Sequence, residues 1–108
     1  MSDDNKVELI AAAQISAFLG PPAGIEFLSN FGFETATRSD AGSYVLEFRH
    51  EHSTKKQVIN VTRNNQEPGT IDASIMDEKH IQVLCFASDV DSTPTDSSFF
   101  ITVYRVRD

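Results

Sequence analysis

His50, His52, His80 and Cys85 are the side chains of this chain best suited by type to hold a metal or act as a nucleophile. In His50-Glu51-His52 the two imidazoles stand two residues apart, which puts both on one face of a strand, as strand-borne metal sites require. His80 would supply a third ligand. On an open meander, however, His50 belongs to the second strand and His80 to the fifth, roughly 14 Å away at about 4.8 Å per strand. Only closure of the sheet would join them around one ion. Cys85 lies between Leu84 and Phe86, where burial raises a thiol's pKa and hides it, so it is expected to be inert. The chain has no Gly-rich phosphate loop, Gly-x-Ser-x-Gly elbow, Cys-x-x-Cys pair or His-Glu-x-x-His sequence.

A second group is Asp89-Val90-Asp91-Ser92-Thr93, directly after the apolar run Ile81 to Phe86 and its short Ala87-Ser88 extension. A strand followed by Asp-x-Asp-x-Thr resembles the first motif of the haloacid-dehalogenase-like phosphotransferases. The resemblance implies Asp89 as nucleophile, Asp91 as general acid/base and Thr93 as a polar neighbour. It also implies a lysine and a further metal-binding carboxylate downstream, on a doubly wound fold. Only 17 residues follow Asp91, and Ser92 replaces the glycine that often follows the second aspartate. Asp89, Asp91, Thr93 and Thr95 also resemble the alternating ligands of an EF-hand calcium loop, but Pro94 stands where glycine is needed and Phe100 where the bidentate glutamate would be. The expectation is a polar connection between strands, with no catalytic residue, no metal and no cofactor.

The chain has 108 residues, 40% hydrophobic and 23% charged, which suits one domain with its own core. Its formal charge of -7 argues against direct binding to nucleic acid, whose phosphates are neutralised by Lys and Arg. The acidic opening Ser2-Asp3-Asp4 does not resemble a secretory signal, no apolar stretch approaches a membrane span, and the single cysteine fits a reducing compartment, so a cytoplasmic protein is expected. Between Glu67 and Asp96 seven acidic residues face one base, Lys79. On a meander, Asp40, Glu67, Asp89, Asp91 and Asp96 would gather at one end, with Lys55, Lys56, Arg105 and Arg107 toward the other. Such an acidic rim would steer a basic protein partner.

The elements that must position these groups are read from periodicity. Val7, Ile10, Ala11, Ile15, Phe18 and Leu19 recur at spacings of three and four, predicting an amphipathic helix from Asp4 to Leu19. A second helix is predicted from Pro22 to Phe31 and ended by Gly32. Beyond it, period-two segments predict strands at Phe33–Arg38, Ser43–His50, Gln57–Arg63, Thr70–Met76, His80–Ser88 and Ser98–Arg107. The expected fold is α+β, two N-terminal helices packed on a five- to six-stranded antiparallel meander. The last strand is apolar on both faces, so it is either central, or partner-binding, or an edge that pairs with a second copy.

These observations point to a small acidic non-enzymatic binding protein acting through protein contacts. Inhibitors, immunity-type proteins and phage-encoded antagonists of basic or nucleic-acid-binding partners belong to this class. The alternative is a small-ligand or metal-binding pocket, enzymatic or not, built from His50, His52 and His80.

Overall fold

The computed structural model describes residues 6–18, 20–64, 69–88 and 91–107. They form eight strands, β1 (Lys6–Phe18), β2 (Gly24–Phe31), β3 (Phe33–Asp40), β4 (Ser43–Phe48), β5 (Gln57–Arg63), β6 (Gly69–Ile75), β7 (His80–Ala87) and β8 (Phe99–Arg107). Two four-stranded antiparallel sheets result: sheet A in the order β2-β1-β8-β5 and sheet B in the order β3-β4-β7-β6. No helix occurs among the described residues, so the expected α+β class gives way to an all-β sandwich.

Both expected helices are strands, and the reason lies in β-bulges. Against β8 the register of β1 shifts between Leu9 and Ala11. An extra residue there reverses which alternate side chains face inward. Ile10 and Ala11 are consequently both buried, followed by Ala13 and Ile15 at the strand period. Seen along the chain, one strand with a phase change imitates the three-and-four spacing of a helix. The run Ala11-Ala12-Ala13, of high helical propensity, strengthens the imitation, and tertiary pairing overrides it. In β2 the partners of Gln14 and Ile15 are Ser29 and Phe27, leaving Leu28 as the extra residue of a second bulge.

The six later strands match their predicted positions within two residues, but they do not form a meander. Tight turns keep β3 with β4 and β6 with β7, whereas the chain changes sheet between β2 and β3, β4 and β5, β5 and β6, and β7 and β8. Each sheet has one strongly apolar face, and covering it with the other sheet removes both from water without helices. Ala11, Ala13, Ile15, Phe99, Ile101 and Val103 from sheet A meet Tyr44, Leu46, Phe48, Ile81, Val83 and Cys85 from sheet B. Phe33 stacks on Phe48 with ring centres 5.3 Å apart and on Phe27 at 6.3 Å, linking the two sheets near the β2–β3 crossing.

Gly32 makes that crossing. Its φ is +87°, and a Cβ there would stand 2.3 Å from the carbonyl oxygen of Ile10. Only glycine allows the chain to turn this close to β1. Immediately beyond it, the Asn30 side chain accepts from the Phe33 N–H and donates to the Phe33 carbonyl, fixing the start of sheet B.

Candidate interaction surface

The outer faces of the two sheets differ in character. Cross-strand partners share a face, so the register maps each outer surface row by row. On sheet A, Leu9, Tyr104 and Val58 form one row across β1, β8 and β5, with Val7 opposite Val106 beside it. The next rows are Phe31-Ala12-Thr102-Asn60 and Ser29-Gln14-Phe100-Thr62. Val7, Leu9, Phe31, Val58 and Phe100 are each 41–58% exposed, large apolar side chains on a face with no charge in these rows. On sheet B the corresponding rows are Thr35-Glu47-His80, Thr37-Val45-Gln82-Ser74 and Ser43-Leu84-Asp72. Hydroxyls, amides and charges predominate there, as an ordinary solvated face requires.

β8 therefore combines two of the expected properties. It is central, hydrogen-bonded to β1 on one side and β5 on the other, so its edges are already occupied along nearly its whole length. Addition of a second copy to that edge is closed off. Its outer side chains Phe100 and Tyr104 nevertheless lie in the apolar face.

The acidic residues have separate fates. Glu67 and Asp89, and with Asp89 the first position of the phosphotransferase-like motif, lie outside the described residues. Asp40 and Asp91 are exposed, Asp40 accepting from the N–H of Ala41. Asp96 is engaged inside the fold. Both of its oxygens lie 3.1 Å from Arg38 Nε, and Oδ2 also pairs with Arg38 Nη2. Oδ1 accepts from the Gly42 N–H at 2.9 Å and the Tyr44 hydroxyl at 2.7 Å, while that hydroxyl accepts from the Ser97 N–H. Burial opposes ionisation of Asp96, but these donors outweigh it and hold its pKa below the usual carboxylate value. Burial and the same hydrogen bond push the Tyr44 phenol upward. Asp96 thus ties the β7–β8 crossing to the β3–β4 hairpin, and reversing its charge would disturb the fold as well as any rim.

The histidines divide between two surfaces. In the sandwich β4 pairs directly with β7, so the meander separation between their residues no longer applies. His80 faces outward beside Asp77, Nδ1 to Oδ1 at 2.9 Å, and lies 3.9 Å from Glu47. His52 instead packs its ring edge-on against Phe48, centres 4.8 Å apart, and His50 and His52 share a cleft at the end of the sandwich. Among the described residues no group of three or more His, Cys, Asp or Glu could hold a metal ion. The cleft measures about 410 Å³ and also takes in Glu8, Leu9, Asn30, Phe31, Arg49 and Arg105. Arg49, Asn30 and the apolar wall were not singled out from the sequence, because they come from strands and crossings distant along the chain.

Cys85 is fully buried, and burial, modified by charges at Arg63 and Asp96, raises its thiol to about 11. At pH 8 the native protein should react with a thiol-specific chromogenic disulfide far more slowly than the urea-unfolded chain, a difference of at least about 100-fold. Equal rates would show that Cys85 is accessible in the native state. No helix among the described residues is long and apolar enough to cross a membrane. Against protein-family models, curated proteins and solved structures alike, this chain finds no match.

Proposed function

We propose that this is a small non-enzymatic binding protein that engages a basic protein partner through the outer face of sheet A. The observation that carries this reading is the contrast between the two outer faces: sheet A exposes Val7, Leu9, Phe31, Val58 and Phe100 among polar side chains, with Glu26 the charge in its Ser16 row, whereas sheet B is hydroxylated and charged. Large exposed apolar patches on soluble domains mark contact surfaces. The whole face, polar side chains included, is four strands wide and as long as the nine residues of β8, roughly 570 Å² at about 4.8 Å per strand and about 3.3 Å per residue. That is comparable with the roughly 800 Å² that each partner contributes to a standard interface.

Charge selects the partner. A formal charge of -7 repels a second copy and steers a basic surface, with exposed Asp40 and Asp91 adding to the field. The apolar face then supplies affinity, while the field supplies rate. Contact without chemistry is how inhibitors, immunity-type proteins and phage-encoded antagonists act. Supporting the reading is a protein retained by the tagged chain from a lysate of the cells that make it, provided retention depends on sheet A. A Val58→Glu/Phe100→Glu variant should lose it, and a Thr37→Glu/Gln82→Glu variant should keep it. Loss only with the sheet B variant would overturn the reading.

A further inference from the structure

The cleft holding His50 and His52 lies where β1, the β2–β3 crossing, the segment between β4 and β5, and β8 converge. Leu9, Ile10 and Phe31 contribute its apolar lining. The lining also carries Arg49, Arg105, His50 and His52. Its volume of about 410 Å³ lies within the range of small-molecule sites, roughly 300–1,000 Å³.

Arg49 is held by its backbone N–H to the Gly32 carbonyl at 3.0 Å and by Nε to the Phe33 carbonyl at 3.1 Å. Among the described residues its two terminal nitrogens have no hydrogen-bond partner, so a fixed guanidinium fork remains available to a planar anion. Arg105 is fixed by Nη2 to Glu8 Oε1 at 2.6 Å, and Glu8 is the one acidic residue among the described lining residues. His52 is positioned from behind by Phe48 and by its N–H to the Glu78 carbonyl. Burial first, then the charges of Arg105 and His50, lower the His52 pKa, with Glu8 acting in the opposite direction. Among the described lining residues the two guanidiniums of Arg49 and Arg105 outnumber the single carboxylate of Glu8, which favours an anion over a cation.

We propose that this cleft is a binding site for a small organic carboxylate with an apolar body, the carboxylate meeting Arg49 and the histidines, the body lying against Leu9, Ile10 and Phe31. The site borders the sheet A face and shares Leu9 and Phe31 with it, but its test uses Arg49, His50 and His52, which the interface test leaves untouched. Among the described residues the charged and titratable groups that line it are Glu8 on β1, Arg105 on β8, and Arg49, His50 and His52 on the β4–β5 segment. A bound anion stabilises protonated imidazole, so affinity rises as pH falls through the histidine range.

The probe is 2-naphthoate, titrated into the full chain at pH 6 and pH 8 while the imidazole C–H signals are followed by NMR. Its neutral isostere 2-naphthylmethanol is the control. Naphthoate should bind with a Kd on the order of 1 mM, as expected of a ligand of this size without optimised contacts. Its affinity should be about threefold or more higher at pH 6. The alcohol should bind at least about tenfold more weakly. His50 and His52 signals should move while His80, on sheet B, stays still. A His52→Gln variant should lose most of the pH dependence, and Arg49→Gln should lose about tenfold in affinity, with an unchanged amide spectrum showing that each variant is folded. Equal binding of acid and alcohol, no binding of either, or movement of His80 alone would overturn the proposal.

Discussion

An Asp96→Ala variant is expected to unfold about 3 kcal/mol more easily than the parent chain, measured by urea titration. The magnitude follows from what the carboxylate holds. Removing it strands the Tyr44 hydroxyl and the Gly42 N–H, each an acceptor short in a part-buried site, at about 1 kcal/mol or more apiece. It also leaves Arg38 without its anion. That side chain is 26% exposed, so water recovers part of the loss, and the full 3–5 kcal/mol typical of breaking a buried pair is not expected. Asp96→Asn retains shape and one acceptor oxygen, and should cost about half as much. Tyr44→Phe should cost about 1–2 kcal/mol, because it removes a donor to Asp96 and an acceptor for Ser97.

The same network sets the acid response. Asp96 has a lower pKa folded than unfolded, where the reference value is 3.8. Above that value both states are ionised and the stabilisation is complete. As pH falls below it, the unfolded chain takes up the proton first, and stability declines until the folded carboxyl also protonates. The parent chain should lose stability below about pH 4 more steeply than Asp96→Asn. Identical slopes, or an Asp96→Ala cost under about 0.5 kcal/mol, would show that the crossing is held by other contacts.

Charge placed on the outer face of sheet A should have the second large effect. Val58 and Phe100 are 45% and 42% exposed, so the Val58→Glu/Phe100→Glu pair empties no core and should cost the fold about 1–2 kcal/mol, mainly through lower strand propensity. Partner affinity should fall at least about 100-fold. An aromatic anchor in an interface commonly carries 2 kcal/mol or more, and two carboxylates must also be desolvated when the face is covered. Raising salt should slow association with a basic partner while changing the dissociation rate little.

Much of this arrangement was legible in the residues, and the failures have identifiable causes. Tyr44, Leu46 and Phe48, then Ile81, Val83 and Cys85, alternate without interruption, so β4 and β7 could be read directly. β1 could not, because the bulge between Leu9 and Ala11 reverses its phase and the alanine run favours a helix. Alternation reveals which side chains share a face but not which sheet a strand joins. The long segments 49–56 and 88–98 cross between sheets, but so does the single residue Gly32, while Ala41-Gly42 makes a hairpin, so the length of a connection does not reveal which it is. Taking every connection as a hairpin produced the meander and, with it, the separation between His50 and His80.

The surface was partly visible for the same reason. The last strand reads as apolar on both faces, but Leu9, Val58 and Phe31 become neighbours of its Phe100, Tyr104 and Val106 only through the register. Asp96 reads as one acid among several in a polar loop. Its partner Arg38 lies 58 residues earlier, a distance over which local pattern carries no signal. The cleft is hidden likewise, since Glu8, Asn30, Arg49 and Arg105 meet only after both sheets have formed.

The most direct test is the affinity of the purified captured partner for three proteins: the parent chain, Val58→Glu/Phe100→Glu, and Thr37→Glu/Gln82→Glu. Light scattering should first show the parent chain alone at its monomer mass of 12.0 kDa. Titration calorimetry should then show at least about 100-fold weaker binding for the sheet A variant and less than about threefold change for the sheet B variant. A doubled mass for the chain alone, or a sheet A variant that binds as tightly as the parent, would contradict the assignment of this face to a basic protein partner.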